Sequence, residues 1–302
     1  MCSSDLTEIF HLVNNPEFSK KEIVPVIGDI KDETKMASIF EKFSPQIVVH
    51  SAAYKHVPIL ELYPEEGIKT NILGTKILAE LSLKHNVEKF IFISTDKAIN
   101  PASVMGATKR VAEEFLRTLN PMNKTKFISV RFGNVLGSRG SVIPLFEEQI
   151  LRGGPVTVTH PEMKRYFMST SEAVILILEA SAIGHGGEVF VLDMGEPIKI
   201  LDLAKEMIKL SGYEPDVDIP IVFTDIRPGE KLFEEILSAE EGVEPTEHEK
   251  IFKARSTTEG SYEFLVEKIN LLIKTSSQNN KNEIIRLLKE TVPTYNPSKN
   301  NK

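Results

Sequence analysis

The sequence predicts an α/β protein built on a doubly wound parallel sheet, and three observations carry that prediction. Short apolar runs alternate with stretches of helical periodicity through the first half of the chain. The runs are apolar at successive positions, not at every second one, so both faces of the sheet need cover. They also end on polar, glycine- or serine-bearing segments, which suits strand ends that open onto a shared cleft.

Taken in order, IVPVIGD (23–29), QIVVHSAA (46–53), KFIFIS (89–94) and KFISVRF (126–132) read as strands. Helical periodicity fills residues 32–43, 64–85 and 104–118 between them, giving the β-α-β-α-β order of right-handed crossovers. Three strand ends, 50–54, 94–97 and 131–140, should therefore border one cleft. Beyond residue 140 the spacing predicts a helix stopped by Gly153-Gly154 and a mixed loop and strand over 155–169. A helix (171–183), a strand (188–193) and a helix (200–211) follow. IRPGEKLFEEIL reads as a loop turning into a helix, and 262–291 as helical. The organisation expected is a first unit over 1–140 and a second region over 141–302. That second region completes the sheet and forms a smaller lobe, with 292–302 a disordered tail.

Composition narrows the function classes. Hydrophobic residues make up 41% and charged residues 26% of the 302, as in a soluble globular chain. A net charge of −7 argues against a general nucleic-acid binder, which would show a basic face. No apolar run reaches the roughly 18–20 residues of a membrane span, and no secretory signal is recognisable. One cysteine excludes an internal disulfide framework and fits a reducing, cytoplasmic setting. The seven histidines are scattered without ligand spacing, so no metal site is expected.

Eight segments occur in order: VIGDI, HSAAYKHVPILE, NILGT, ISTDKAINPASVMGATKR, RFGNVLGSRGSVIPLF, THPEMKRYFM, FVLDMGEP and RPGEKLFEE. On these, from about residue 23 to about residue 255, the chain resembles the catalytic domain of the CapD-like polysaccharide-biosynthesis enzymes. These are the WbpM- and PglF-type nucleotide-sugar 4,6-dehydratases of the extended short-chain dehydrogenase/reductase class. The resemblance implies a Rossmann-like sheet, NAD in preference to NADP, and UDP-N-acetylglucosamine or a close relative as substrate. It also implies a homo-oligomer joined through the helices at 64–85 and 104–118. Relatives are often anchored at the inner membrane.

The same resemblance assigns residues. Asp96 would protonate the C6 leaving group and Lys97 would take the C5 proton, which requires Lys97 to be neutral. Lys109, four residues after Met105, shares a helix face with it and would contact the nicotinamide ribose. Most of the wider class carries a tyrosine base at the position of Met105, and methionine exchanges no proton. Met105 would instead be an apolar wall, leaving Asp96, Lys97, or Thr95 with a water, as candidates for the C4 base. Asp29 and Ile30 would sit at the adenine, Ala52 and Ala53 at the pyrophosphate, Ser94 and Lys109 at the nicotinamide. Lys55, Asn134, Arg165, Arg227 and Glu230 would hold the UDP-sugar, the arginines by bidentate contact with the diphosphate.

One expected part is missing. No GxGxxG occurs in the sequence, although its backbone N–H groups hold the pyrophosphate in dinucleotide sites. The run at 23–29 would then be the third strand of a sheet whose first βα unit is absent, with residues 5–15 a remnant of the preceding helix. Such a sheet would have an open gap with unpaired backbone groups. Cys2-Ser3-Ser4-Asp5-Leu6 also resembles the translation of a sequencing-library adapter, the expectation being an N-terminally truncated reading frame. Two other readings stay open: a UDP-sugar 4-epimerase, which would want the absent tyrosine and no Asp-Lys pair, and an inactive nucleotide-sugar-binding fragment.

Overall fold

The runs KFIFI and KFISVR are apolar at consecutive positions, and they become adjacent inner strands of a six-stranded sheet. The computed structural model describes residues 23–120, 124–138, 140–235, 242–255 and 261–297. Its strands are β1 (Ile47–His50), β2 (Lys89–Ile93), β3 (Lys126–Arg131), β4 (Val189–Leu192), β5 (Val243–Pro245) and β6 (Ile251–Ala254). They lie in the order β1-β2-β3-β4-β6-β5. The first four run parallel, β6 runs antiparallel to β4, and β5 antiparallel to β6. The fold is thus Rossmann-like, mixed α/β with a mainly parallel central sheet.

Alternation along β2 divides two cores. Phe90 and Phe92 point into one, with Phe127 of β3; Ile91 points into the other, with Ile128 and Val130. The first core is roofed by α2 (64–84) and α3 (Val104–Leu119), the second by α5 (Thr170–Ile183). The helix α2 is not uniform: an α-turn Pro64–Gly67 passes into a π-helical stretch Ile68–Gly74 and then α-helix Thr75–Lys84. Ahead of it, α1 (Glu33–Phe43) starts where the Asp32 side chain accepts from the Lys35 N–H. A third, separate core forms the smaller lobe. There α4 (Val142–Leu151) and α6 (Ile200–Leu210) pack on a parallel pair, Val156–Val158 and Ile221–Phe223.

Several expectations are corrected. Residues 23–29 form no strand; they run irregularly and mostly exposed, with Ile27 72% accessible. A strand exists only against a neighbour, and none of the described residues pairs with this run. The outer edge of β1 is likewise unpaired among the described residues, leaving Ile47 and Val49 more than half exposed. Residues 5–15 lie outside the described residues. The helix expected after Pro228-Gly229 does not begin by Glu235, because the backbone there is used in other contacts described below.

The helical stretch at 262–291 is two helices, α7 (Tyr262–Ser276) and α8 (Lys281–Thr291). They part at a turn where Asn279 has φ 54° and Asn280 caps α8. This hairpin packs on α3 and on the π-helical part of α2, placing Leu265, Ile269, Leu272, Ile284, Leu287 and Leu288 in the first core. The hairpin thus covers part of each of the two helices at 64–84 and 104–119. The tail expected from residue 292 is also packed: Val292 and Tyr295 are buried, and the Asn296 N–H donates to the Pro101 carbonyl. Residues 298–302 lie outside the described residues. Among the described residues no helix is long and apolar enough to cross a membrane.

Candidate active site

The site grows out of the end of β2. Past Ile93 the chain stays laced to β3, with the Ser94 N–H on the Val130 carbonyl and the Asp96 N–H on the Phe132 carbonyl. It then tightens into one 3-10 turn, Asp96–Ala98, capped by the Thr95 hydroxyl, which accepts from the Lys97 N–H. This turn fixes two ionisable side chains side by side. Thr95 Oγ1 donates to Asp96 Oδ1 at 2.8 Å, and Lys97 Nζ donates to the same oxygen at 2.9 Å and to Asn134 Oδ1 at 3.4 Å. Asp96 is 2% exposed, and its second oxygen, Oδ2, is buried without a protein partner.

A carboxylate not singled out from the sequence completes the cluster. Glu234, 3% exposed in its side chain, places Oε1 3.6 Å from Lys97 Nζ and 3.8 Å from Arg165 Nε. Burial by itself lowers the pKa of Lys97, but Asp96 and Glu234 outweigh it and the net direction is upward. The resting Lys97 is thus an ammonium, contrary to the neutral amine the sequence reading requires.

Below the turn lies α3, which begins where the Ser103 hydroxyl accepts from the Gly106 N–H. Gly106 lets the helix approach closely: a Cβ there would stand 2.1 Å from the Lys97 carbonyl oxygen. One turn on, Lys109 donates from Nζ to the Ile93 carbonyl at 2.6 Å and lies 3.9 Å over the Phe92 ring. Burial lowers its pKa to about 7, against the raising effect of Glu113. Met105 is buried in the first core and Ser94 Oγ is buried without a partner. The neighbouring His50, its ring 2.9 Å from Thr75 Oγ1, is held down to about 3 by burial and by Lys109.

Other expected residues are placed differently. Arg165 does not face an open cleft. It is 7% exposed and donates to the backbone carbonyls of Lys164, Lys231 and Leu232, so it fastens two segments of the lobe together. Arg227 is exposed, and the Glu230 N–H closes a turn onto the Arg227 carbonyl, while Glu230 Oε2 is buried without a partner. Lys55 is exposed at the rim, Nζ 3.5 Å from Ser138 Oγ. Asp29 caps its own turn, accepting from the Lys31 N–H and pairing with Lys31 Nζ, and Ile30 packs on Gly74. Ala52 and Ala53 lie in the loop after β1.

That loop is pinned by a residue the sequence reading did not assign. Asn71, buried in the π-helical stretch, accepts from the Tyr54 N–H at 2.8 Å and donates to the Tyr54 carbonyl at 3.0 Å and to Thr108 Oγ1 at 3.0 Å. The segment NILGT was a visible signal for it. Contacts thus unite Thr95, Asp96, Lys97, Asn134, Arg165 and Glu234, with Ser94 and Lys109 adjoining. They do not join Asp29, Arg227 or Glu230 to that cluster.

A nicotinamide cofactor can be tested against these side chains. Its ring end suits the strand end, where Ser94 offers an unused buried hydroxyl and Lys109 a hydrogen-bond donor. Its pyrophosphate end finds no GxGxxG in these 302 residues. Among the described residues no cluster of histidine, cysteine or carboxylate could hold a metal.

The chain matches the family described as polysaccharide biosynthesis protein over residues 4–256. It is 57% identical to the capsular polysaccharide biosynthesis protein CapD of Staphylococcus aureus over 235 residues, which is 78% of this chain and 39% of CapD. It is 37% identical to a UDP-glucose 4-epimerase of Rickettsia canadensis and 36% identical to the inverting UDP-N-acetylglucosamine 4,6-dehydratase of Campylobacter jejuni. Each alignment covers 71% of this chain and 62% of the relative. Among solved structures, Pen from Bacillus thuringiensis superposes with a TM-score of 0.75 at 37% identity, over 85% of this chain and 78% of Pen. The chain thus spans about two-fifths of the length of CapD.

Proposed function

Because the chain belongs to the polysaccharide biosynthesis protein family and is nucleotide-sugar dehydratase- or epimerase-like, we propose that it carries out NAD-dependent 4,6-dehydration of a UDP-N-acetylhexosamine, UDP-N-acetylglucosamine first. The observation that carries this reading is the Asp96–Lys97 pair, joined at 2.9 Å.

Elimination across C5 and C6 needs a base and an acid at neighbouring carbons. The resting pair is an ammonium and a carboxylate, and it holds one transferable proton. Moving that proton along the 2.9 Å hydrogen bond gives a neutral amine on Lys97 and a carboxylic acid on Asp96. The amine then takes the C5 proton, electrons shift into the C5–C6 bond, and the C6–O bond breaks as Asp96 gives its proton to the departing hydroxyl. Water leaves, and the pair is again an ammonium and a carboxylate, the state found at rest. Thr95 fixes Asp96 throughout through its 2.8 Å hydrogen bond. NAD, when bound, would supply hydride acceptance at C4 and hydride return at C6. A water held by Thr95 would take the C4 hydroxyl proton. The Lys97 ammonium would give its proton back to C5 as the hydride returns and then regain one from that water. Lys109 and Ser94 would hold its nicotinamide end, and Met105 would supply an apolar wall. Asn134 and Lys55 border the same cleft and would meet the UDP-sugar.

An epimerase needs proton exchange at C4 alone and would leave the Asp96–Lys97 pair without a task at C5 and C6. The test is to incubate the purified protein with NAD+ and UDP-N-acetylglucosamine and follow the sugar by mass spectrometry and NMR. Loss of one water with a 4-keto-6-deoxy product is expected. An isobaric epimer refutes the proposal, as does an unchanged sugar when both ligands are shown to bind.

A further inference from the structure

Glu234 and Glu235 are consecutive, yet they do opposite things. Glu235 is exposed and pairs with Lys231 and Asn100 at the surface. Glu234 turns inward and is buried, with Oε2 lacking a partner. Burying a carboxylate is costly unless cations face it, and the two that do are Lys97 and Arg165. Arg165 cannot follow a moving partner, since backbone carbonyls on two segments hold its guanidinium. Phe233 is bridged to Lys164, fixing the backbone on the other side. Glu234 is therefore held in place from both directions.

Around Lys97 the charged and polar groups are then complete. Asp96 and Thr95 face it from its own turn, Asn134 from the segment after β3, and Glu234 with Arg165 behind it from the lobe. Two carboxylates compete for one ammonium, and Arg165 makes the group of four neutral overall. We infer that Glu234 is a positioning residue: it aligns Lys97 Nζ beside Asp96 and holds the pair in its ammonium–carboxylate state, so setting the pH at which Lys97 releases its proton. Its consequence for turnover rests on the proposed dehydration; its effect on Lys97 does not.

The sign follows from the charges. Removing the negative charge of Glu234 destabilises the ammonium, so Lys97 deprotonates at lower pH. The experiment is competitive acetylation of Lys97 with acetic anhydride across pH, read by mass spectrometry, for wild type, Glu234→Gln, Glu234→Asp and Glu235→Gln. A unit charge at 3.6 Å is worth about a sevenfold change in a proton equilibrium even at the dielectric of water. Below the titration of Lys97, Glu234→Gln should raise its labelling by about sevenfold or more, and Glu235→Gln should leave it unchanged. If Glu234→Gln does not fold, Glu234→Asp, which keeps the charge but withdraws it by one methylene, must still raise labelling, by less. An unchanged Lys97 profile in the folded variants overturns the inference, whatever the activity. With turnover measured in parallel, the base limb of kcat against pH should move to lower pH while the Kd for UDP stays put. A labelling shift without any dehydration would sink the proposed function and leave Glu234 in its role.

Discussion

Gly106→Ala should destabilise the protein while the same change at Gly67 should not, and the difference tests whether α3 truly abuts the Asp96–Ala98 turn. Both glycines are helical, so each alanine gains about 0.5–1 kcal/mol from reduced backbone freedom. At Gly67 the new methyl meets Leu60 and Thr108 at 3.5 Å, an ordinary contact. At Gly106 it would stand 2.1 Å from the Lys97 carbonyl oxygen, 3.0 Å from its carbon and 3.1 Å from Pro101 Cβ. Relief requires the turn and helix to part by about 1 Å, and overpacking of that kind costs about 1–3 kcal/mol. The expected outcome is a gain of about 0.5–1 kcal/mol for Gly67→Ala and a net loss of about 0–2.5 kcal/mol for Gly106→Ala. Urea unfolding followed by circular dichroism, with m-values compared, reads both. Gly106→Ala as stable as Gly67→Ala would refute the close approach. Because the clash falls on the backbone of Lys97, Gly106→Ala should also cost more activity than its stability loss accounts for.

Other perturbations have equally definite signs. Arg131 and Glu113 form a two-pronged pair at 2.8 and 2.6 Å with both side chains 1% exposed, so Glu113→Ala should cost about 3–5 kcal/mol in the same unfolding assay. His50 is neutral in the fold, with its pKa lowered to about 3 from 6.5. The unfolded chain binds the extra proton, so this stability is complete above pH 6.5 and drains away as pH falls towards 3. The slope is at most about 1.4 kcal/mol per unit, and His50→Gln should flatten that part of the profile. Leu287 of the C-terminal hairpin is fully buried in the first core, so Leu287→Ala should cost about 2–5 kcal/mol. It should do so within a single transition seen alike by circular dichroism and fluorescence.

What the sequence disclosed follows the range of the interactions involved. β2 and β3 were readable because continuous apolar runs are a local signal of burial on two faces. The start of α3 was readable because Ser103 caps it three residues before Gly106. Residues 23–29 have the same β-rich composition and yet form no strand, because strand formation depends on a neighbour that composition does not report. The turn Thr95-Asp96-Lys97, proposed as the acid–base pair with its capping hydroxyl, lies in one short stretch and is legible as a unit. Arg165 was read as a diphosphate ligand because its carbonyl partners at Lys231 and Leu232 lie more than sixty positions away. Glu234 was passed over for the same reason. In RPGEKLFEE nothing local tells which of two adjacent glutamates turns inward; that is decided by Lys97, far upstream, and by Arg165.

The hairpin of α7 and α8 gives one last consequence, about where a protein may be cut. The match to the polysaccharide biosynthesis family stops at residue 256, but six leucines and isoleucines beyond it share one core with Met105 and the helix that carries Lys109. The segment that the family match covers and the packed first core therefore differ in extent. Trimming this chain to the matched part would strip the back of the helix that carries Lys109, and the loop at Pro101 would lose the backbone bond from Asn296 that ties it down.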